Sequence, residues 1–324
     1  MANAIEVTGL VKTYGEVRAL DGLSFSVPEG GVFGLLGPNG AGKSTTVKIL
    51  TTLSRADEGG AQVAGLDVVE RAEDVRRTIG VVAQKSGLDP EATGRENARL
   101  QGQIYGLHGR ELEGRIDELL DQFGLADAGD RLVRGYSGGM QRRLDIALAL
   151  VHRPRVLFMD EPTTGLDPEV RADMWQEISR LARDEGLTVL LTTHYMEEAD
   201  VLASRLAILD RGSLVAEGSP DQLKGELRGD AIHVELGEAE TNGRVRQALD
   251  QIPGIRETNV DGRQLHARAD DGARAVPAVL QALEANGIAV AAVTVARPSL
   301  EDVYLRYAGR TFSAAETETE EETR

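Results

Sequence analysis

Residues Gly37-Pro38-Asn39-Gly40-Ala41-Gly42-Lys43-Ser44-Thr45 follow the spacing G-x-x-x-x-G-K-S/T. Glycines let backbone N–H groups turn toward an anion, and a helix starting at the lysine adds the positive end of its dipole. A loop of this kind holds the phosphates of a nucleoside triphosphate. Lys43 then reaches the β and γ phosphates, and the Ser44 hydroxyl is a ligand for Mg2+. The bare pattern also arises by chance in glycine-rich loops, so its surroundings decide. Gly31–Leu36 reads as a buried strand before it, and Val47, Leu50 and Leu53 recur at helical spacing behind it. Strand, loop and helix come in the order the motif requires.

Two further segments carry chemistry. In Val156-Leu157-Phe158-Met159-Asp160-Glu161-Pro162 an apolar strand ends in two acids. Such a strand delivers its carboxylates to the edge of a parallel sheet where ligands bind. Asp160 is placed to hold Mg2+ through water, and Glu161 to polarise the water that attacks the γ-phosphate. Alone, the segment reads as an ordinary strand end; beside the phosphate loop it does not. In Tyr136-Ser137-Gly138-Gly139-Met140-Gln141-Arg142-Arg143 a Ser-Gly-Gly turn precedes a helix with Leu144, Leu148 and Val151 on one face. By itself that is an N-cap and a tight turn.

The elements around these segments define the fold class. Ile5–Val27 alternates apolar and polar residues, as in a half-buried antiparallel sheet. Val63–Val69 and Ile79–Ala83 read as strands. Residues 90–134 read as helix, with Ile116, Leu119, Leu120 and Phe123 as an apolar stripe. Strand and helix then alternate again through Val156–Met159, Val170–Arg183 and Thr188–Thr192, and Leu206–Leu209 with Ser213–Ala216 forms a closing hairpin. This is an α/β chain with a largely parallel sheet, an antiparallel β subdomain and a helical subdomain at about 88–136. Gly218–Gly229 dissolves into Gly, Ser, Pro and charges and reads as a boundary. The expected domains are therefore 1–220 and 230–308, the second with the order βαββαβ of a small α+β, ferredoxin-like domain. Residues 311–324 are a Glu/Thr run expected to be a disordered acidic tail.

The bulk numbers exclude several classes. The chain of 324 residues has no cysteine, so no disulfide or thiolate metal site exists. A net charge of −17 argues against a nucleic-acid partner. The N-terminus lacks a signal-peptide pattern, and the apolar run Ile288–Ala296 is far short of the roughly 20 residues that cross a bilayer. The chain is expected to be soluble by itself. His108, His152, His233 and His266 show no metal-ligand spacing and read as surface or packing residues, as does Trp175.

Taken together, the ordered motifs resemble the nucleotide-binding subunit of an ATP-binding-cassette (ABC) transporter, over Ile5 to about Gly218. Tyr14 stands where that family stacks an aromatic on adenine. Gln84 stands at the glutamine after strand Gly80–Ala83, Tyr136–Met140 at the signature motif, Gly165–Pro168 at the loop after the acidic strand, and His194 at the switch histidine. The resemblance implies a P-loop NTPase fold with a RecA-like parallel core. It adds Gln84 and Lys43 to the catalytic groups with Glu161 and His194, and Gln84 to the Mg2+ ligands with Ser44 and Asp160. It makes Ser137, Gly138, Gly139 and Asp167 nucleotide contacts across an ATP-sandwich homodimer, with His194 sensing the γ-phosphate. The family's commonest signature is Leu-Ser-Gly-Gly-Gln; Tyr136 and Met140 replace its outer residues here. That variant, together with Pro298-Ser299-Leu300-Glu301-Asp302-Val303-Tyr304, is similar to exporters of the daunorubicin-resistance type.

The implied function is ATP hydrolysis, with Mg2+, that powers a separate integral-membrane permease exporting drugs or other hydrophobic compounds. The chain would then lie on the cytoplasmic face of the cell membrane. An importer motor would carry the same motifs. A soluble ABC ATPase acting on ribosomes or DNA would have two cassettes or coiled-coil arms, which this sequence lacks, and the charge is wrong for nucleic acid.

Overall fold

Period-two patterning sets up the first sheet. In β1 (Asn3–Tyr14) and β2 (Val17–Pro28) the alternate residues Ile5, Val7, Leu10, Leu23, Phe25 and Val27 are buried, and the two strands pair antiparallel. The computed structural model describes residues 2–250 and 252–322, and the chain divides at 214/215 into two compact units.

In the first unit, β3 (Gly31–Leu36) is buried nearly throughout and runs into the phosphate loop and α1 (Lys43–Leu50). The helix stops there: Thr52 has φ +64° and Leu53 is exposed, so the helical spacing seen in the sequence overshoots by one turn. β4 (Glu58–Val63) and β5 (Leu66–Asp67) form a hairpin, whereas the sequence suggests one strand at 63–69. Ala64 and Gly65, at φ +52° and +77°, make the two-residue turn between the paired Val63 and Leu66. The sheet order is β2-β1-β4-β5.

Then follow α2 (Ala72–Thr78), β6 (Ile79–Val82), and the helical lobe of α3 (Gly94–Ile104) and α4 (Gly109–Gln122). Thr93 and Glu96 form a capping box that starts α3, and Leu112, Ile116, Leu119 and Leu120 bury one stripe of α4. After them come α5 (Gly138–Ala149), β7 (Val156–Asp160), α6 (Pro168–Asp184), β8 (Thr188–Thr193), α7 (Met196–Leu202), β9 (Arg205–Asp210) and β10 (Ser213–Gly218). The larger sheet has the order β10-β9-β3-β8-β7-β6, and β9, β3, β8, β7 and β6 run parallel. Both faces are covered, so its strands are continuous apolar runs rather than alternating ones. Leu157 and Met159 of β7 join a core with Leu144, Ile146, Ile178 and Leu181, while Val156 and Phe158 join Val47, Ile49 and the antiparallel sheet.

Beyond β10, which spans the division at 214/215, the second unit continues with α8 (Pro220–Glu226), where the sequence suggests only a boundary. Ser219 and Gln222 make a capping box and Pro220 occupies the first turn, so the Ser-Pro pair starts a helix. Then come β11 (Asp230–Leu236), α9 (Asn242–Leu249), β12 (Ile255–Asp261), β13 (Gln264–Ala269), α10 (Gly272–Ala285) and β14 (Val290–Ala296). The strands lie in the order β12-β13-β11-β14, each antiparallel to its neighbour, which is the ferredoxin-like arrangement. Ile232, Val234, Leu265 and Ala267 bury one face against Val245, Leu249, Val279 and Leu283 of the two helices. α11 (Leu300–Ala308) and α12 (Phe312–Glu322) follow, and Phe312 packs edge-on to the buried Tyr304 at 5.1 Å. Where the sequence suggests a structureless tail from 311, the structure forms this last helix. Phe312 and Ala315 supply the buried apolar contacts that the Glu/Thr composition masks; residues 323–324 lie outside the described residues.

Candidate functional site

The register of the parallel sheet brings the motif residues into one row. Leu36 pairs with Thr193, Asp160 with Thr192, and Met159 with Val82. The carboxyl ends of β3, β8, β7 and β6 therefore deliver, side by side, the phosphate loop, His194, Asp160 with Glu161, and Gln84. This is the edge at which open α/β sheets bind ligands.

At the start of α1, Gly42 adopts φ +101°, and a Cβ there would lie 2.7 Å from the Ala19 carbonyl oxygen. Only glycine fits. Lys43 is 4 % exposed; its Nζ donates to the carbonyls of Gly37 (2.8 Å) and Pro38 (3.0 Å) and lies 3.5 Å from Glu161 Oε1. Ser44 Oγ donates to Asp160 Oδ1 at 3.2 Å. These hydroxyl and carboxylate oxygens are the hard donors that suit Mg2+.

Glu161 sits at φ +48°, a left-handed conformation rare outside glycine and found where surroundings enforce it. Its amide donates to Thr192, to the carbonyl at 3.2 Å and to Oγ1 at 3.0 Å. Its carboxylate accepts from Gln84 Nε2 (3.1 Å) and Thr164 Oγ1 (3.3 Å). His194 Nδ1 is 3.4 Å from Glu161 Oε1 and is buried, close to the carboxylate but without well-aligned hydrogen-bond geometry. The His194 contact, then the Lys43 charge and the Thr164 hydroxyl, outweigh burial and hold the Glu161 carboxyl at about 2. It is an anion at neutral pH.

The other expected residues lie apart from this cluster. Ser137 is exposed and caps α5, accepting from Met140 N at 3.3 Å, and Asp167 caps α6, accepting from Val170 N at 3.0 Å. The two turns abut: a Cβ on Gly139 would meet Val170 Cγ1 at 2.7 Å, which fixes glycine there. Gly138 is exposed, and a Cβ added to it would meet nothing closer than Leu166 at 3.9 Å. Tyr136 turns inward, donating to the Ala128 carbonyl at 2.6 Å, so the departure from the commonest signature serves the helical lobe rather than the exposed turn. Tyr14 is 47 % exposed at the end of β1, with the Lys12 ammonium over its ring 5.3 Å from the centroid.

Sequence reasoning misses three supports. Thr192, inside an apolar strand, accepts from the Glu161 amide and donates to Asp160 Oδ1 at 2.6 Å. Arg142 is 7 % exposed and holds three carbonyls: Pro162 (2.7 Å), Ala83 (2.7 Å) and Asp160 (3.4 Å). It ties the helix of the Ser-Gly-Gly turn to the backbone before Gln84 and around Glu161. Glu198, fully buried, accepts from Thr163 Oγ1 at 2.7 Å and from Trp175 Nε1 at 3.0 Å. Trp175 packs on the core as the sequence suggests and spends its N–H on that carboxylate. A charged residue between apolar helical positions was the available signal for Arg142.

Known families, proteins and structures resemble this chain along most of its length. Residues 20–164 match the family described as ABC transporter, and residues 218–308 match the family described as ATP-binding protein DrrA1-3-like, C-terminal domain. The daunorubicin resistance ATP-binding protein DrrA2 of Streptomyces coeruleorubidus is 46% identical over 94% of this chain and 95% of its own. The linearmycin resistance ATP-binding protein LnrL of Bacillus subtilis is 35% identical over 95% of this chain and 99% of its own. A solved dimer of the ATP-binding cassette MJ0796, in a post-hydrolysis state with ADP and Pi, superposes with a TM-score of 0.60 at 28% identity, over 66% of this chain and 98% of that one.

Proposed function

The chain belongs to the ABC transporter family as an ATP-hydrolysing ATP-binding subunit, and from that premise we propose how its residues divide the work. The observation that carries the reading is the convergence of Lys43, Ser44, Asp160, Glu161, Gln84 and His194 on one sheet edge, with Glu161 held ionised. The loop amides of residues 37–45 cradle the phosphates and Tyr14 stacks on the adenine. Ser44, Asp160 and Gln84 would hold Mg2+, which when bound would supply positive charge against that developing on the phosphates.

The triphosphate offers Lys43 an anionic acceptor stronger than the neutral Gly37 and Pro38 carbonyls. Drawn to it, the ammonium leaves Glu161 less stabilised as an anion and more able to take a proton from the attacking water. The Glu161 backbone, pinned by Thr192, keeps the carboxylate on line. His194, with its buried Nδ1 beside Glu161, contacts the γ-phosphate and reports its release.

The exposed Ser137, Gly138 and Asp167, with the buried Gly139 that shapes their turn, complete the site of a second copy in a head-to-tail dimer. No helix among the described residues is long and apolar enough to cross a membrane, so the work passes to a separate permease at the cytoplasmic membrane face. The relatives' names tie those proteins to resistance against daunorubicin and linearmycin, and we propose export of drug-like compounds here. Glu161→Gln tests the core of this reading: ATP affinity should stay within a few-fold while turnover falls about 100- to 1,000-fold. Steady-state hydrolysis at the wild-type rate would remove Glu161 from its role.

A further inference from the structure

A second polar cluster lies in the accessory unit, on the sheet face opposite its helices α9 and α10. His233 of β11 and His266 of β13 are direct cross-strand partners, with Ala231 opposite Arg268 on the same face. Their Nδ1 atoms are 3.0 Å apart and the rings stand at 89°. The first turn of α11 brings Asp302, 9 % exposed, to this pair, with Oδ1 3.8 Å from His233 Nε2. The other carboxylate oxygen accepts from the amide and hydroxyl of Ser299, both at 2.8 Å, which fixes the group.

We propose that His233, His266 and Asp302 bind a divalent transition-metal ion of the zinc class. One donor atom from each of the three residues falls within a 4.8 Å cluster. Metal–nitrogen bonds of about 2.0–2.1 Å place neighbouring donors about 3 Å apart, which is the spacing of the two Nδ1 atoms, whose mutual hydrogen bond an ion would replace. Two imidazoles and a carboxylate select Zn2+, Co2+, Ni2+ or Cu2+ over Mg2+ or Ca2+, which prefer all-oxygen shells.

Arg268 donates to the carbonyls of Arg228 (2.8 Å) and Gly229 (3.2 Å), and Glu257 lies 3.6 Å from Arg268 and 3.7 Å from Arg306, so Glu257 offsets part of the positive charge beside Asp302. A groove of about 390 Å³, lined by His266, Asp302, Arg268 and Leu305, gives the ion an approach. Binding would staple β11, β13 and α11 together. The sequence hides this site because its ligands are 33 and 36 residues apart and meet only through strand pairing.

The test is zinc binding by the full-length protein, stripped with chelator and titrated with Zn2+ without nucleotide. One equivalent should bind at micromolar zinc and raise the melting temperature. His266→Gln and His233→Asn should each weaken binding at least about tenfold, while Asp160→Asn leaves it unchanged. Substituted Co2+ should give the intense visible bands of a low-coordinate site in the wild-type protein, a reading that needs no variant to fold. No binding at micromolar zinc, binding indifferent to His266→Gln, binding lost with Asp160→Asn, or only the pale six-coordinate Co2+ spectrum would each overturn the proposal.

Discussion

The strand-end cluster and the Ser137–Gly139 turn belong to the same unit but present their polar groups in opposite ways. At the strand ends nearly every group is spent on another: Thr192 on Asp160 and Glu161, Gln84 and Thr164 on Glu161, Lys43 on loop carbonyls and Glu161. At the turn, Ser137 satisfies only its own helix, and the exposed backbone of Gly138 faces outward. On the proposed division of work, the first region does chemistry on a ligand that enters it, and the second closes on a nucleotide brought to it. Arg142, buried beneath the turn and bonded to the backbone around Glu161 and before Gln84, connects them.

Substitutions on the two sides should break different functions. Lys43→Ala should weaken ATP binding by the isolated subunit at least about 100-fold, because a buried ammonium facing phosphates is lost. Gly138→Asp has room and suits a helix start, so stability and ATP binding by the isolated subunit should change little. Its turnover should nonetheless fall about 100-fold, because the new carboxylate faces incoming phosphate. Equilibrium binding and steady-state hydrolysis, measured on both variants, separate the two effects.

Removing the connector should damage both regions. Arg142→Met should cost about 2–4 kcal/mol in denaturant unfolding, since three carbonyls lose a charged donor, and should lower turnover more than binding. The acid response is smaller and belongs to the strand ends alone. Glu161 has its folded pKa depressed from 4.5 to about 2, so its contribution is present above 4.5 and is lost as pH falls toward 2. Solvent screening reduces this to about 1–2 kcal/mol, and the difference in stability between wild type and Glu161→Gln should shrink by that amount across the window. Tyr136→Phe should have the smallest effect, about 1 kcal/mol of stability from the lost bond to Ala128, with hydrolysis unchanged.

Much of the strand-end cluster was legible in the sequence, because a phosphate loop and an acid-terminated apolar strand obey local spacing rules. The supports were not. Thr192 is one more residue in a β-branched buried strand, and the carbonyls held by Arg142 lie 18 to 59 positions away. Their partners exist only after the sheet register is set. The ferredoxin-like order was readable from alternating elements, whereas α8 was hidden by a Ser-Pro pair that begins a helix while looking like a break.

If each chain carries half of two sites, ATP itself must bring two chains together. Sedimentation of Glu161→Gln with and without ATP decides the matter. Monomers are expected without nucleotide, dimers with ATP, and monomers again when Gly138→Asp is added even though ATP remains bound. A dimer indifferent to ATP or to Gly138→Asp would contradict the half-site arrangement.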